Sequence, residues 1–158
     1  MVITKKKIIV VDDEKSIRDL VREVLEEEGY EVDTAINGID GIKKIKELAP
    51  DLVIVDIMMP LMNGYHMVKE LVNDEDIKKL PEFLILTVRS KKLDNGLGER
   101  IGACVYLEKP FRREILVSLV QEILRKSPSC KSGEESKDPP NVLLYKTIHG
   151  GLPPDISG

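Results

Sequence analysis

The chain has 158 residues, a net charge of −4, 42% hydrophobic and 33% charged residues, as is typical of one globular domain. The negative charge argues against nucleic-acid binding driven by bulk charge, so we expect no direct nucleic-acid contact. The longest apolar runs are too short to cross a bilayer, and the first is followed at once by Asp12 and Asp13. We therefore expect no signal peptide, no membrane insertion and a cytoplasmic location.

The first half of the chain alternates short apolar runs with segments of helical periodicity. Strands are predicted at residues 8–11, 31–35 and 52–55, and the first and third are apolar throughout, as expected for strands covered on both faces. The segment after the first strand predicts a helix that Gly29 ends. Its apolar stripe comprises Ile17, Leu20, Val21, Val24 and Leu25. The stripe after the second strand comprises Ile39, Ile42, Ile45 and Leu48, with Pro50 just beyond it.

The second half continues the alternation. A third helical stripe is formed by Met67, Val68, Leu71 and Val72. Strands are predicted at residues 83–86 and 103–108, and a last helix carries the stripe Ile115, Leu116, Leu119, Val120, Ile123 and Leu124. The fourth helix, between Arg89 and Ile101, contains Gly96 and Gly98, and each glycine disfavours a helix interior by roughly 1 kcal/mol relative to alanine. We expect this helix to be short, irregular or mobile.

The pattern is a strand followed by a helix, repeated five times between about residues 6 and 126. It predicts an α/β fold with a parallel sheet between two layers of helices, but periodicity leaves the strand order open. Residues 127–158 hold five of the nine prolines and four of the eleven glycines. We therefore expect a domain over residues 1–126 and a flexible tail rich in proline, glycine and serine over residues 127–158.

Polar side chains follow four of the predicted strands. Asp12 and Asp13 come after the first strand, Asp56 ends the third, Thr87 ends the fourth and Lys109 follows the fifth. The carboxyl ends of parallel strands meet at one edge of the sheet, where ligands bind in such folds. These five side chains are therefore candidates for one site.

Three carboxylates held close together repel one another unless a cation lies between them. Mg²⁺ binds oxygen ligands and commonly takes one or two carboxylates together with phosphate oxygens. We expect Asp13 and Asp56 to bind Mg²⁺ directly, Asp12 through water, and Met58 through its backbone carbonyl. Aspartate can also act as a nucleophile toward phosphorus. Asp56 is the candidate phosphoryl acceptor, and Lys109 and Thr87 would each hold an oxygen of the transferred group.

Four segments, in order and at strand ends, closely resemble the receiver domains of two-component response regulators, the CheY-like superfamily. They are residues 10–14 (VVDDE), 55–60 (VDIMMP), 86–87 (LT) and 106–111 (YLEKPF). The resemblance implies a doubly wound, flavodoxin-like (βα)5 three-layer sandwich with strand order 2-1-3-4-5. It also implies that a histidine kinase or a histidine phosphotransfer protein donates a phosphoryl group to Asp56. Such a protein is not a classical enzyme, because it catalyses only its own phosphotransfer and autodephosphorylation.

The resemblance further implies a switch. Phosphorylation draws Thr87 inward, and Tyr106 moves from an exposed to an inward position. The surface of the fourth helix, fifth strand and fifth helix then changes and binds a downstream protein. The sequence leaves open which protein that is and whether phosphorylation produces a homodimer.

Two positions depart from the family pattern. Val88 stands where a small residue is usual, and we expect a branched side chain there either to narrow access to the phosphoryl site or to change how Thr87 moves. Asn63 stands where aspartate is more common, and both residues suit a turn. Met58, two residues past the acceptor, offers no side-chain group to orient water, so we predict slow autodephosphorylation.

Three other classes of protein share parts of this pattern. A flavin-binding protein needs a phosphate loop rich in serine, threonine and glycine where this chain has acids, and a haloacid dehalogenase-type phosphatase needs an acid where Met58 stands. A receiver fold used only as a docking scaffold stays open, with Val88 as its single hint. Taken alone, Asp12 and Asp13 would suit the N-terminus of a helix, where the helix dipole stabilises acids. Taken alone, Thr87 would suit the end of a strand. Tyr106 is equally consistent with a core residue and with a switch residue.

Overall fold

The computed structural model describes residues 4–88 and 105–125. Its elements are β1 (Lys7–Val11), α1 (Lys15–Glu27), β2 (Glu31–Ala35), α2 (Gly38–Leu48), β3 (Leu52–Asp56), α3 (Gly64–Asn73), β4 (Glu82–Thr87), β5 (Val105–Glu108) and α4 (Arg113–Arg125). The predicted fourth helix and the predicted tail, residues 127–158, lie outside the described residues. The label α4 therefore belongs to the helix that was predicted as the fifth.

The five strands form one parallel sheet in the order β2-β1-β3-β4-β5, which confirms the expected order 2-1-3-4-5. In the centre of the sheet Val11 of β1 lies beside Val55 of β3, and Asp56 lies beside Leu86 of β4. The apolar residues of β3 are completely buried. This burial on both faces explains why the run carries no alternation of polar and apolar residues.

Alternate side chains of the strands pack on opposite faces of the sheet. Ile9, Val53 and Ile85 belong to a core cluster with α2 and α3, which we call the α2/α3 face. Their neighbours Ile8 and Ile54 belong to the cluster with α1 and α4, which we call the α1/α4 face. The result is the three-layer α/β sandwich of the flavodoxin-like class.

The helix boundaries follow local signals. Helix α1 ends just before Gly29, which has a φ of 94° and lets the chain turn back into β2. The side chain of Asn37 accepts a hydrogen bond from the backbone N–H of Asp40 and caps α2. Asn63 caps α3 in the same way, through the N–H of His66. Asparagine at position 63 therefore has a structural role of its own.

Three members of the predicted apolar stripes do not reach the core. Leu20, Ile39 and Val72 are 44%, 57% and 42% exposed. A helix that packs on a sheet buries only one arc of its surface, and these residues lie at the margin of that arc. Periodicity identified the correct side of each helix but made the buried stripes of α1, α2 and α3 too wide, whereas every member of the α4 stripe belongs to the core cluster or packs against it.

Candidate functional site

Three acidic residues meet at the carboxyl ends of β1 and β3. Asp12 and Asp13 directly follow β1, and Asp56 is the last residue of the neighbouring strand β3. Asp12 and Asp56 are buried, whereas Asp13 is exposed. One carboxylate oxygen from each residue lies within 4.8 Å of the others. The sheet order therefore creates the cluster that the strand ends predicted.

The backbone N–H, the carbonyl and the carboxylate of Asp12 all take part in hydrogen bonds. Its backbone N–H donates to the carbonyl of Ala35 at 3.1 Å, so the chain beyond β1 stays attached to β2. One carboxylate oxygen accepts from the N–H of Glu14 at 2.9 Å, and the other accepts from Nζ of Lys109 at 2.8 Å. Arg18 of α1 donates from Nη1 to the Asp12 carbonyl at 2.7 Å. Neither Arg18 nor its contact was predicted from the sequence.

Lys109 is the cation of the site. Its Nζ lies 2.8 Å from Asp12, 3.5 Å from Asp56 and 3.9 Å from Glu14, and its side chain is only 10% exposed. Its backbone N–H donates to the carbonyl of Thr87 at 2.6 Å, which places it at the end of β4. Burial alone would lower the pKa of this ammonium group. The hydrogen bond to Asp12 and the surrounding carboxylates outweigh burial and raise the pKa of Lys109.

The environment of Asp56 disfavours the ionised form of its carboxylate. Burial, together with the negative charge of Asp12, raises the pKa of Asp56 to about 6, and the charge of Lys109 and the N–H of Met58 only partly oppose this rise. The Met58 N–H donates to one Asp56 oxygen at 3.2 Å. The carboxylate is therefore ionised at neutral pH but gains from any further positive charge nearby.

The turn between β3 and α3 passes very close to Asp56. A Cβ atom added to Gly64 would lie 2.5 Å from the Asp56 carbonyl oxygen, and the Gly64 N–H donates to the carbonyl of Ile57 at 3.0 Å. Only glycine fits this approach without a shift of the backbone. In the same turn the side chain of Met58 is 70% exposed.

The donor set fits Mg²⁺. The acidic residues Asp12, Asp13 and Asp56 offer carboxylate oxygens, which Mg²⁺ prefers to nitrogen or sulfur. The buried pair Asp12 and Asp56 shares Lys109 as its cation, and the exposed Asp13 leaves one side of the cluster open to water. The residues present therefore suit a small divalent cation that keeps several waters.

Comparison with known proteins agrees with this geometry. The family model described as "Response regulator receiver domain" matches residues 8–121. The chain belongs to this family.

Two curated relatives of this receiver domain are bacterial regulators. This chain is 38% identical over 133 residues to the alkaline phosphatase synthesis transcriptional regulatory protein PhoP of Bacillus subtilis, with 84% of this chain and 54% of the relative covered. It is 37% identical over 123 residues to the transcriptional regulatory protein CpxR homolog of Haemophilus influenzae, with 78% and 52% covered. The chain spans about half the length of these relatives.

Solved structures show the same fold. The chemotaxis protein CheY4 of Vibrio cholerae superposes with a TM-score of 0.71 at 33% identity, covering 76% of this chain and 99% of that one. The receiver domain of NtrX from Brucella abortus gives a TM-score of 0.68 at 30% identity, covering 76% and 99%. Among the described residues of this receiver domain, no helix is long and apolar enough to cross a membrane.

The two predicted switch residues lie on β4 and β5. Thr87 is buried at the end of β4, beside Glu108 of β5 in the sheet register. Val88, the next residue, is exposed and lies outside the strand. Tyr106 is partly buried and packs against the α2/α3 face. Thr87, Lys109 and the acids therefore occupy one edge of the receiver domain, and Tyr106 lies on the strand that leads to Lys109.

Proposed function

We propose that this receiver domain accepts a phosphoryl group on Asp56 from the phosphohistidine of a histidine kinase or of a histidine phosphotransfer protein, in a reaction that requires Mg²⁺. The observation that carries the proposal is the convergence of Asp12, Asp13 and Asp56 within 4.8 Å, with the buried Lys109 ammonium group in contact with two of them. A carboxylate between cations is suited to receive a group that brings further negative charge.

Asp56, Lys109 and Thr87 have separate roles in the proposed phosphoryl transfer. A carboxylate oxygen of Asp56 attacks phosphorus, the bond from phosphorus to the donor histidine nitrogen breaks, and the imidazole leaves. The pKa of about 6 keeps Asp56 ionised at neutral pH, as a nucleophile must be. Lys109 and the Thr87 hydroxyl each hold one oxygen of the transferred group. When bound at the three acids, Mg²⁺ would supply further positive charge to stabilise the transferred group.

Asp13, Asp56 and the backbone carbonyl of Met58 are the proposed direct ligands of Mg²⁺. Asp12 acts through water: it is fully buried, and its carboxylate is held by close hydrogen bonds from Glu14 and from Lys109. The exposed Asp13 has the freedom to approach a hydrated ion. This division of roles predicts that Asp13→Asn weakens Mg²⁺ binding more than it changes stability.

The proposed output is a change of surface that a partner protein recognises. Phosphorylation draws Thr87 toward the new phosphoryl oxygens, and Tyr106 moves inward on β5. The surface that includes β5 and α4 then binds a downstream protein, with or without formation of a homodimer. The curated relatives are named as transcriptional regulators, but the output of this chain is proposed only as protein binding. With Met58 beside the acceptor we propose slow autodephosphorylation.

Phosphorylation of the purified protein tests the proposal. The protein is incubated with acetyl phosphate and Mg²⁺, and its intact mass is recorded beside an Asp56→Asn control. We expect one phosphoryl group on the wild type, none on the control and none when EDTA removes the metal. Loss of the adduct after acetyl phosphate is removed by desalting, with Mg²⁺ still present, then gives the dephosphorylation rate, and decay within seconds would contradict the role given to Met58.

The docking-scaffold alternative rests on Val88, which is exposed next to the buried Thr87. Val88→Ala removes the branched side chain and leaves every carboxylate in place. Under the proposal the variant accepts the phosphoryl group at least as fast as the wild type. If neither protein forms an adduct and neither binds beryllofluoride, the domain is a scaffold and the proposed phosphotransfer is wrong.

A further inference from the structure

Asp13 differs from the other two acids in how it is held. Asp12 has hydrogen-bond partners on its N–H, its carbonyl and both carboxylate oxygens, and Asp56 is held by Met58 and Lys109. Within residues 4–88 and 105–125, no hydrogen bond or ion pair fixes the side chain of Asp13. The direction of its carboxylate therefore depends on the backbone that carries it.

The peptide bond between Asp12 and Asp13 sets that direction. Its carbonyl belongs to Asp12 and accepts the hydrogen bond from Nη1 of Arg18 at 2.7 Å, six residues further along the chain. Arg18 lies on α1, and its own N–H donates to the carbonyl of Glu14 at 3.1 Å as part of the first helical turn. The guanidinium group thus ties the orientation of this peptide to a rigid helix.

We infer that Arg18 is a positioning residue for the metal site: its hydrogen bond to the Asp12 carbonyl orients the Asp12–Asp13 peptide so that Asp13 points toward the cation. The inference rests on the proposed function, because it assumes that Asp13 binds Mg²⁺. Arg18 acts through the backbone and touches neither the metal nor the phosphoryl group.

Two physical effects support this role. A hydrogen bond from a charged donor is stronger than one between neutral groups, so the guanidinium restrains the carbonyl firmly. Groups that orient metal ligands from outside the coordination sphere commonly change metal affinity by about 10- to 100-fold when they are removed.

The chain offers a matched control on the same helix. Arg22 lies one turn beyond Arg18, and its side chain pairs with Glu26 at 2.5 Å on the exposed surface. Arg22→Met makes the same change in charge and side-chain size as Arg18→Met, but at a position whose side chain pairs with Glu26 instead of with the site. A loss common to both variants would reflect net charge or helix stability alone.

The test measures Mg²⁺ affinity by isothermal titration calorimetry for the wild type, Arg18→Met, Arg18→Lys and Arg22→Met, with urea unfolding of each protein in EDTA. We expect Arg18→Met to raise the Mg²⁺ Kd by roughly tenfold, Arg22→Met to leave it unchanged, and Arg18→Lys to fall between them. The loss of affinity should exceed any loss of stability measured without metal. Manganese broadening of the Asp13 resonances in NMR spectra should weaken in Arg18→Met.

The outcomes separate the two claims. If the wild type binds Mg²⁺ and Arg18→Met binds it equally well, the positioning role is wrong and the proposed phosphotransfer stands. The same holds if Arg18→Met and Arg22→Met lose equal affinity. If the wild type itself does not bind Mg²⁺, the proposed function fails, and the inference about Arg18 fails with it.

Discussion

Asp56 is buried at the carboxyl end of β3, where its carboxylate lies beside that of Asp12. The residue must be ionised to act as a nucleophile, yet burial and the neighbouring charge favour its protonated form and raise its pKa to about 6. Lys109 offsets only part of this. The unphosphorylated, metal-free protein is therefore less stable at neutral pH than it would be with a neutral side chain at this position.

Asp56→Asn tests this conclusion. Because the folded-state pKa of about 6 lies above the roughly 3.9 of an unfolded aspartate, the stability that Asp56 contributes is complete below pH ~4 and is lost as the pH rises through 6. Asparagine cannot ionise and avoids that loss. We expect the variant to be more stable by about 1–3 kcal/mol near pH 7.5 in EDTA, and by much less near pH 4.5. Urea unfolding at both pH values measures the difference.

An exposed carboxylate provides the control for this experiment. Glu47 of α2 is exposed, and Glu47→Gln should change the free energy of unfolding by less than about 0.5 kcal/mol at either pH. If Asp56→Asn were no more stable than the wild type near pH 7.5, the environment of Asp56 would not disfavour its anion.

Lys109→Met removes the cation that Asp12 and Asp56 share. Both carboxylates are buried, so leaving them without a positive partner should lower the free energy of unfolding by about 2–4 kcal/mol near pH 7.5. Lys79→Met is the matched control, because Lys79 pairs with Asp51 at 3.0 Å but is mostly exposed. That control should lose less than about 1 kcal/mol. Equal losses in the two variants would show that burial of the Lys109 pair has no energetic consequence.

At the scale of the element, the sequence predicted most of the sheet. The apolar runs of β1, β3 and β4 were located to within one residue at each end, because strands buried on both faces leave an uninterrupted hydrophobic signal. Helix ends were also readable where a local residue determines them, as at Gly29. The width of the buried helix stripes was not readable, and exposed Leu20 and Ile39 show why: periodicity gives the direction of a helix face but not how closely the sheet approaches it.

The sequence predicted which residues meet at the candidate site, but it did not predict the contacts between their side chains. Strand ends in a parallel sheet made the meeting of the acids with Lys109 predictable. The contact of Lys109 with Asp12 at 2.8 Å, shorter than its 3.5 Å to Asp56, depends on where a long side chain extends after folding. The reach of Arg18 to the Asp12 carbonyl has the same origin. No spacing rule in the sequence encodes either contact.

Gly64→Ala tests the turn between β3 and α3. An added Cβ would meet backbone atoms of Asp56 and Ile57 rather than a side chain that could move aside. We expect a loss of about 1–3 kcal/mol in the free energy of unfolding, because the turn must shift, and slower phosphorylation of Asp56 by acetyl phosphate. Gly29→Ala is the control: alanine is strained at the φ of 94° found there, but nothing lies near the added Cβ. A wild-type phosphorylation rate in Gly64→Ala would show that the turn does not position the acceptor.

The described residues, 4–88 and 105–125, form a three-layer sandwich. The strands are covered on one face by α2 and α3 and on the other by α1 and α4. We predict that a chain ending at Lys126 unfolds in one transition, with a free energy within about 1 kcal/mol of the full chain, and binds Mg²⁺ with the same affinity. Urea unfolding and calorimetry of the shortened protein measure both. A marked loss of stability would show that residues 127–158 contribute to the fold, against the predicted division into domain and tail.

The position of Lys109 along the chain has a consequence for synthesis on the ribosome. Asp12, Asp13 and Asp56 are all translated before residue 64, whereas Lys109 is the first residue after β5, the last strand. A nascent chain that has reached the end of α3 holds all three acids but lacks the cation that contacts two of them. The strand that completes the sheet thus also brings the positive charge that partly offsets the repulsion among the acids, so the acidic edge of the metal-free chain is less stable until that strand is in place.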